Sequence, residues 1–108
     1  MRSRFDEQLE QLNRELVSMG ALCEEAIGGY VRALCDGEPD HAATAITLEI
    51  AIDRMERSIE DRCLRLLLQQ HPVARDLRQI TAAMKMITDL ERIGDQAADI
   101  ASIVQHLD

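Results

Sequence analysis

The chain is expected to fold as an all-α, antiparallel up-down-up bundle of three helices. Three observations predict this. Apolar residues recur in steps of three and four along almost the whole length, the spacing of one helix face. No run alternates with period two over the length of a strand. The only two prolines, Pro39 and Pro72, fall where the apolar rhythm breaks, and they cut the 108 residues into three similar pieces. The composition agrees: Leu, Ile, Ala, Met, Glu, Gln and Arg dominate, and Phe5 and Tyr30 are the only aromatic residues.

The first helix is expected over about residues 3–36. Phe5, Leu9, Leu12, Leu16, Met19, Cys23, Ala26 and Tyr30 form a heptad-like seam. A second apolar edge runs through Ile27, Val31 and Leu34. Gly20, Gly28 and Gly29 each weaken this helix by up to about 1 kcal/mol relative to Ala, and they leave room for a close helix neighbour. Ser3 with Glu7 is not a proper capping box, which leaves the start of the helix open. Asp36-Gly37-Glu38-Pro39 ends the helix. Gly37 suits a left-handed terminal residue, and Pro39 suits the first turn of the next helix.

The second helix is expected over about residues 39–70. Its seam is Ala45, Leu48, Ile52, Met55, Ile59, Cys63 and Leu66. Glu49, Asp53, Glu56 and Glu60 keep the same rhythm about 100° round the helix. His71-Pro72 is the second break, and Pro72 is expected to open a third helix over about 72–107. Leu77, Ile80, Met84, Ile87, Leu90, Ala97, Ile100 and Val104 give that helix a broad apolar face. Residues 1–108 are read as one domain.

The net charge of −8 argues against a nucleic-acid surface, which needs clustered Lys and Arg. It suits cations or a basic partner. Three cysteines, Cys23, Cys35 and Cys63, with no C-x-x-C, argue against a disulfide framework and for a cytoplasmic location. The first residues have no apolar segment behind them and are not expected to be a signal peptide. No apolar run approaches the length of a membrane span.

Acid placement is the most informative pattern. Glu91, Asp95 and Asp99 are spaced i, i+4, i+8 and stack on one helix face. Like charges so placed destabilise a helix by roughly 0.2–0.5 kcal/mol per pair. Only His106 supplies a basic group after Arg92, and acids near a helix C-terminus oppose its dipole. Across the second turn, Glu49 and Asp53 lie 22 and 18 residues before His71, while Glu91 and Asp95 lie 20 and 24 after it. In an antiparallel pair these four sit at similar heights, and a two-residue mismatch is only about 3 Å. If they also share a facing, Glu49-x-x-x-Asp53 and Glu91-x-x-x-Asp95 pool their carboxylates. Oxygen-only clusters suit hard cations such as Mg²⁺ and Mn²⁺ and also bind Fe and Zn.

Blander readings stand beside this one. Acids on a helix are usually a solvated face, and Glu56 and Glu60 are read so. Arg57 can pair with Asp53, and Arg92 with Asp89 or Asp95. His41, His71 and His106 fall near helix ends and are read as solvated or capping groups. The Glu-x-x-His pairs of di-iron bundles are absent. An enzyme is not expected: there is no Gly-rich phosphate loop, no nucleophile beside a base, and no His among the carboxylates.

Leu90-Glu91-Arg92-Ile93-Gly94-Asp95 resembles the repeat motif of the PhoU family, the bacterial phosphate-uptake regulators. The likeness extends through Glu49, Asp53 and Glu56, Cys63-Leu64-Arg65-Leu66-Leu67 and Gln70-His71-Pro72-Val73-Ala74-Arg75-Asp76-Leu77-Arg78. It implies a three-helix PhoU-like repeat, half of the usual six-helix tandem protein. It also implies metal clusters of iron, zinc, magnesium or manganese held by E/D-x-x-x-D motifs. Glu91 with Asp95, and Glu49 with Asp53, match that motif, and Asp99 extends the stripe. By the same resemblance the chain would act as a metal-binding adaptor in negative regulation of phosphate uptake. It would lie at the inner face of the membrane without inserting, and link the Pst phosphate transporter to a PhoR-type sensor kinase. Family members carry two repeats and this sequence one, so either a fragment of a two-repeat protein or a homodimer is expected. A structural interaction module with a solvated acidic face is the alternative function.

Overall fold

In the computed structural model the described residues are 3–37, 39–69 and 72–105. They form three helices, α1 (Arg4–Asp36), α2 (Pro39–Gln69) and α3 (Ala74–Gln105), and no strand. Each helix packs on both others, and the bundle is a rod of 58 × 21 × 17 Å. Gln70, His71, His106, Leu107 and the side chain of Val104 lie outside the described residues.

Local chemistry sets the helix ends. Ser3 is the N-cap of α1 after all: the Asp6 N–H donates to Ser3 Oγ at 3.1 Å. The partner is three residues on, at the position whose amide an N-cap hydroxyl reaches. At the other end Gly37 has φ 69°, and its N–H donates to Ala33 O at 2.9 Å. That left-handed cap is the one expected from the sequence. Pro72 does not open α3. The first helical bond there runs from the Leu77 N–H to Val73 O at 2.9 Å, so Val73 takes the capping position. Pro72 lies in the turn, where its missing N–H breaks no ladder.

The core keeps to the expected seams. Leu9, Leu12, Met19, Cys23, Ala26 and Tyr30 are buried from α1, and Ala45, Ile52, Ile59, Cys63 and Leu66 from α2. Phe5, Leu16, Leu48 and Met55 pack at its margin. The α3 face is narrower than its pattern suggests: Ile80, Ala83 and Ile87 are buried, while Leu77 and Ile100 are exposed. Those two lie near the two ends of α3. Of the α1 glycines, only Gly29 meets a neighbour helix closely. A Cβ there would sit 3.1 Å from Ala45 Cβ and 3.2 Å from His41 O. The cysteines are free, with Cys35 exposed. Burial, then the Glu15 and Glu60 charges, pushes the Cys63 thiol up to about 11, so it behaves as a small core residue. Among the described residues, no helix is long and apolar enough to cross a membrane.

Candidate metal centre

Antiparallel packing of α2 on α3 puts Glu49 within reach of the Asp53 and Asp95 charges, and Glu91 within reach of the same two. Burial raises the Glu49 carboxyl above its ordinary value, the hydrogen bond from Tyr30 opposes this, and the Asp95 and Asp53 charges raise it further. Burial also raises Glu91, followed by the Asp95 and Asp53 charges. The four therefore share one electrostatic neighbourhood. Asp99, one turn on, is exposed and is not among the charges acting on Glu49 or Glu91.

Among the described residues, nothing cationic neutralises these acids: no Lys, Arg or His forms an ion pair with Glu49, Asp53, Glu91 or Asp95. The pairings open to Arg57 and Arg92 do not form. Asp89 lies 4.0 Å from Lys85 instead, and His41 lies 3.8 Å from Asp36. Exposed pairs do form elsewhere, Arg14 with Glu10 and Arg65 with Asp61, and each is worth little at the surface.

The raised carboxyls give a pH prediction for the metal-free protein. The folded state binds these protons more tightly than the unfolded chain. The associated stability is complete below the ordinary glutamate range and is lost as pH rises through the raised values. In thermal melts from about pH 4 to 7 with chelator present, Glu91→Gln should gain on the wild type as pH rises. A constant difference across that range would show that Glu91 is not strained by its neighbours.

The family model for the PhoU domain matches residues 16–104. This chain belongs to the PhoU family. Relatives named phosphate-specific transport system accessory protein PhoU homolog include one from Clostridium acetobutylicum, 40% identical over 98% of this chain and 49% of its own. Another, from Synechocystis sp., is 40% identical over 98% and 47%. A third, from Pseudomonas aeruginosa, is 38% identical over 91% and 40%. The chain thus spans between two fifths and half the length of these relatives. No solved structure gives a significant match.

The PhoU-type carboxylates suit a hard cation in donor chemistry: four oxygen donors, close enough to disturb one another, and no competing cation among the described residues. They are not assembled into a shell. Among the described residues, no three His, Cys, Asp or Glu side chains converge closely enough to hold an ion as they stand.

Two residues at or near the acids were not read as such from the sequence. Tyr30, read as core, is 3% exposed, and its hydroxyl donates to Glu49 Oε2 at 3.0 Å. Burial, then the Glu49 hydrogen bond and the Glu49 and Asp95 charges, raises the phenol well above its ordinary value, so it remains a protonated donor. The height rule applied to the first turn could have found it. Tyr30 lies 7 residues before Gly37 and Glu49 lies 12 after. Helical side chains lean toward the N-terminus, which on α1 is toward Glu49. Glu56 is half-buried rather than solvated, and its Oε2 is shielded from water with no hydrogen-bond partner. Glu60 is exposed, as expected.

Proposed function

We propose that residues 1–108 form one PhoU-like three-helix domain that binds metal ions and acts as a regulatory adaptor for phosphate transport. The carrying observation is that the Asp53 and Asp95 charges act on both Glu49 and Glu91, with no cation paired to any of the four among the described residues. Rotation of these flexible side chains would complete a shell around Mn²⁺, Mg²⁺, Fe or Zn, with Asp99 at its edge. The accessory role of the relatives supports a link to the Pst transporter and, by resemblance, to a PhoR-type sensor kinase. The domain would work in the cytoplasm, peripheral to the membrane, by holding partners rather than by catalysis.

The test is a thermal melt of tag-free protein with Mn²⁺, Mg²⁺, Fe or Zn²⁺ and with chelator, beside elemental analysis. A ligand that binds only the folded state adds RT ln(1 + [L]/Kd), about 2.7 kcal/mol at a hundredfold excess over Kd. Glu91→Gln with Asp95→Asn should remove most of that gain. Melts indifferent to every metal and to chelator would favour the structural interaction module.

Self-association belongs to the same reading. Val31 on α1, Ile46 and Ile50 on α2, and Ile93 and Ile100 on α3 are about half exposed. A two-fold dimer would bury part of that surface isologously. Sedimentation equilibrium at micromolar concentration should give about twice 12.2 kDa. A mass of one chain at every concentration would remove the dimer from the proposal.

A further inference from the structure

We propose that a second copy of this chain docks on the face shared by α1 and α3. The inference rests on the self-association reading above and names the surface that carries it. Beside its core seam, each of these helices has a second seam in steps of three and four. On α1 it runs from Asn13 to Leu34, and on α3 from Gln79 to Ile100, each position 66 residues after its α1 counterpart. The two helices run in the same direction, and Gln79 Nε2 donates to Asn13 Oδ1 at 3.4 Å, so the seams lie side by side. Val17, Val31 and Leu34 on α1 and Met86, Ile93 and Ile100 on α3 are 37–74% exposed. Glu24 is the only charged residue in either seam, although 30% of the chain is charged. The exposed apolar residues of α2 are set differently: Ile46 and Ile50 flank Glu49, with Asp53 and Arg54 next along the helix.

A bare apolar strip of this kind marks an interface. Another copy of the same strip suits it, because neither side brings charges that must be stripped of water. The strip is about 32 Å long at 1.5 Å per residue. Across a rod 21 Å wide it offers roughly 700 Å² per copy, near the ~800 Å² per partner of a standard interface. Gly20 lies within it, and a Cβ there would meet nothing within 4 Å. Alanine would therefore fit the single chain, and the bare backbone leaves a notch for a side chain of the other copy.

Sedimentation equilibrium at micromolar concentration tests the face. Val31→Glu with Ile93→Glu puts two charges into the strip of each copy and should weaken the dimer about 100-fold or more. Ile46→Glu with Ile50→Glu makes the same charge change on α2 and should keep the wild-type mass. All four side chains are about half exposed, so neither pair of changes disturbs the core. A second measurement uses unaltered protein: on dilution, the methyl NMR signals of Val31, Ile93 and Ile100 should shift while those of Ile46 and Ile50 hold still. A dimer that survives Val31→Glu with Ile93→Glu, or shifts at Ile46 and Ile50 instead, would place the contact elsewhere and overturn this inference while self-association stands. Equal losses from the two pairs of changes would mean unspecific apolar association and overturn it as well. A wild-type mass of one chain at every concentration would end the dimer and this inference together.

Discussion

Leu12→Ala should lower the unfolding free energy by about 2–5 kcal/mol, the range for deleting a buried leucine whose site cannot fully collapse. Leu12 is 0% exposed and is among the largest wholly buried side chains. It belongs to the single core cluster that unites all three helices, so the void would be felt by each of them. A small domain is stable by only about 5–15 kcal/mol, so this one change removes a large share. Val17→Ala, on the same helix at 74% exposure, is the control and should stay within about 0.5 kcal/mol. Urea unfolding at constant m-value measures both. A Leu12→Ala loss under about 1 kcal/mol would mean that the helices close over the gap.

The second large effect is expected at a polar contact. Arg62 Nε lies 2.5 Å from Glu15 Oε1, and the Ser58 hydroxyl donates to Glu15 Oε2 at 3.4 Å. The two paired atoms are shielded from water and have no other partner. Arg62→Ala leaves the Glu15 carboxylate, only 12% exposed, without its cation. Breaking a fully buried pair costs about 3–5 kcal/mol; Arg62 is 27% exposed, so water softens the loss to about 1–3 kcal/mol. The double change Glu15→Leu, Arg62→Leu should recover most of it, since an apolar pair carries no desolvation penalty. Urea unfolding of the single and double variants gives the coupling directly. Additive losses would show that the pair is held by its surroundings and not by mutual attraction.

Both sites bear on how far the sequence could be read. Leu12, Ile52 and Ile59 stand in unbroken three-four rhythm, and a long amphipathic helix has only one way to bury such a stripe. The turn at Gly37 was equally plain, because a glycine before Glu38-Pro39 has few other uses. Ala83 and Gly94 are buried but were missed, since small residues carry almost no periodic signal. Leu77 and Ile100 carry a strong signal yet are exposed, because periodicity gives the facing of a residue and not how far cover extends along a rod. The similar height of Glu49 and Asp95 came from chain distances about the second turn, while their shared facing was an assumption. That Arg92 pairs with neither Asp89 nor Asp95 did not, because pairing of long charged chains is decided by a few tenths of a kcal/mol. Tyr30 was hidden by its own seam: an aromatic at a core position reads as packing, and only its far end is polar.

The rod of 58 × 21 × 17 Å has a spectroscopic consequence. In three near-parallel helices almost every backbone N–H bond points along the long axis. Spinning about that axis does not reorient these bonds; only end-over-end tumbling does, and it is the slower motion. Amide ¹⁵N relaxation of a single chain should therefore give a correlation time longer than that of a sphere of 12.2 kDa. Side-chain methyl groups, whose axes point in many directions, also feel the faster spin. Their shorter apparent correlation time would separate a slender single chain from a heavier particle.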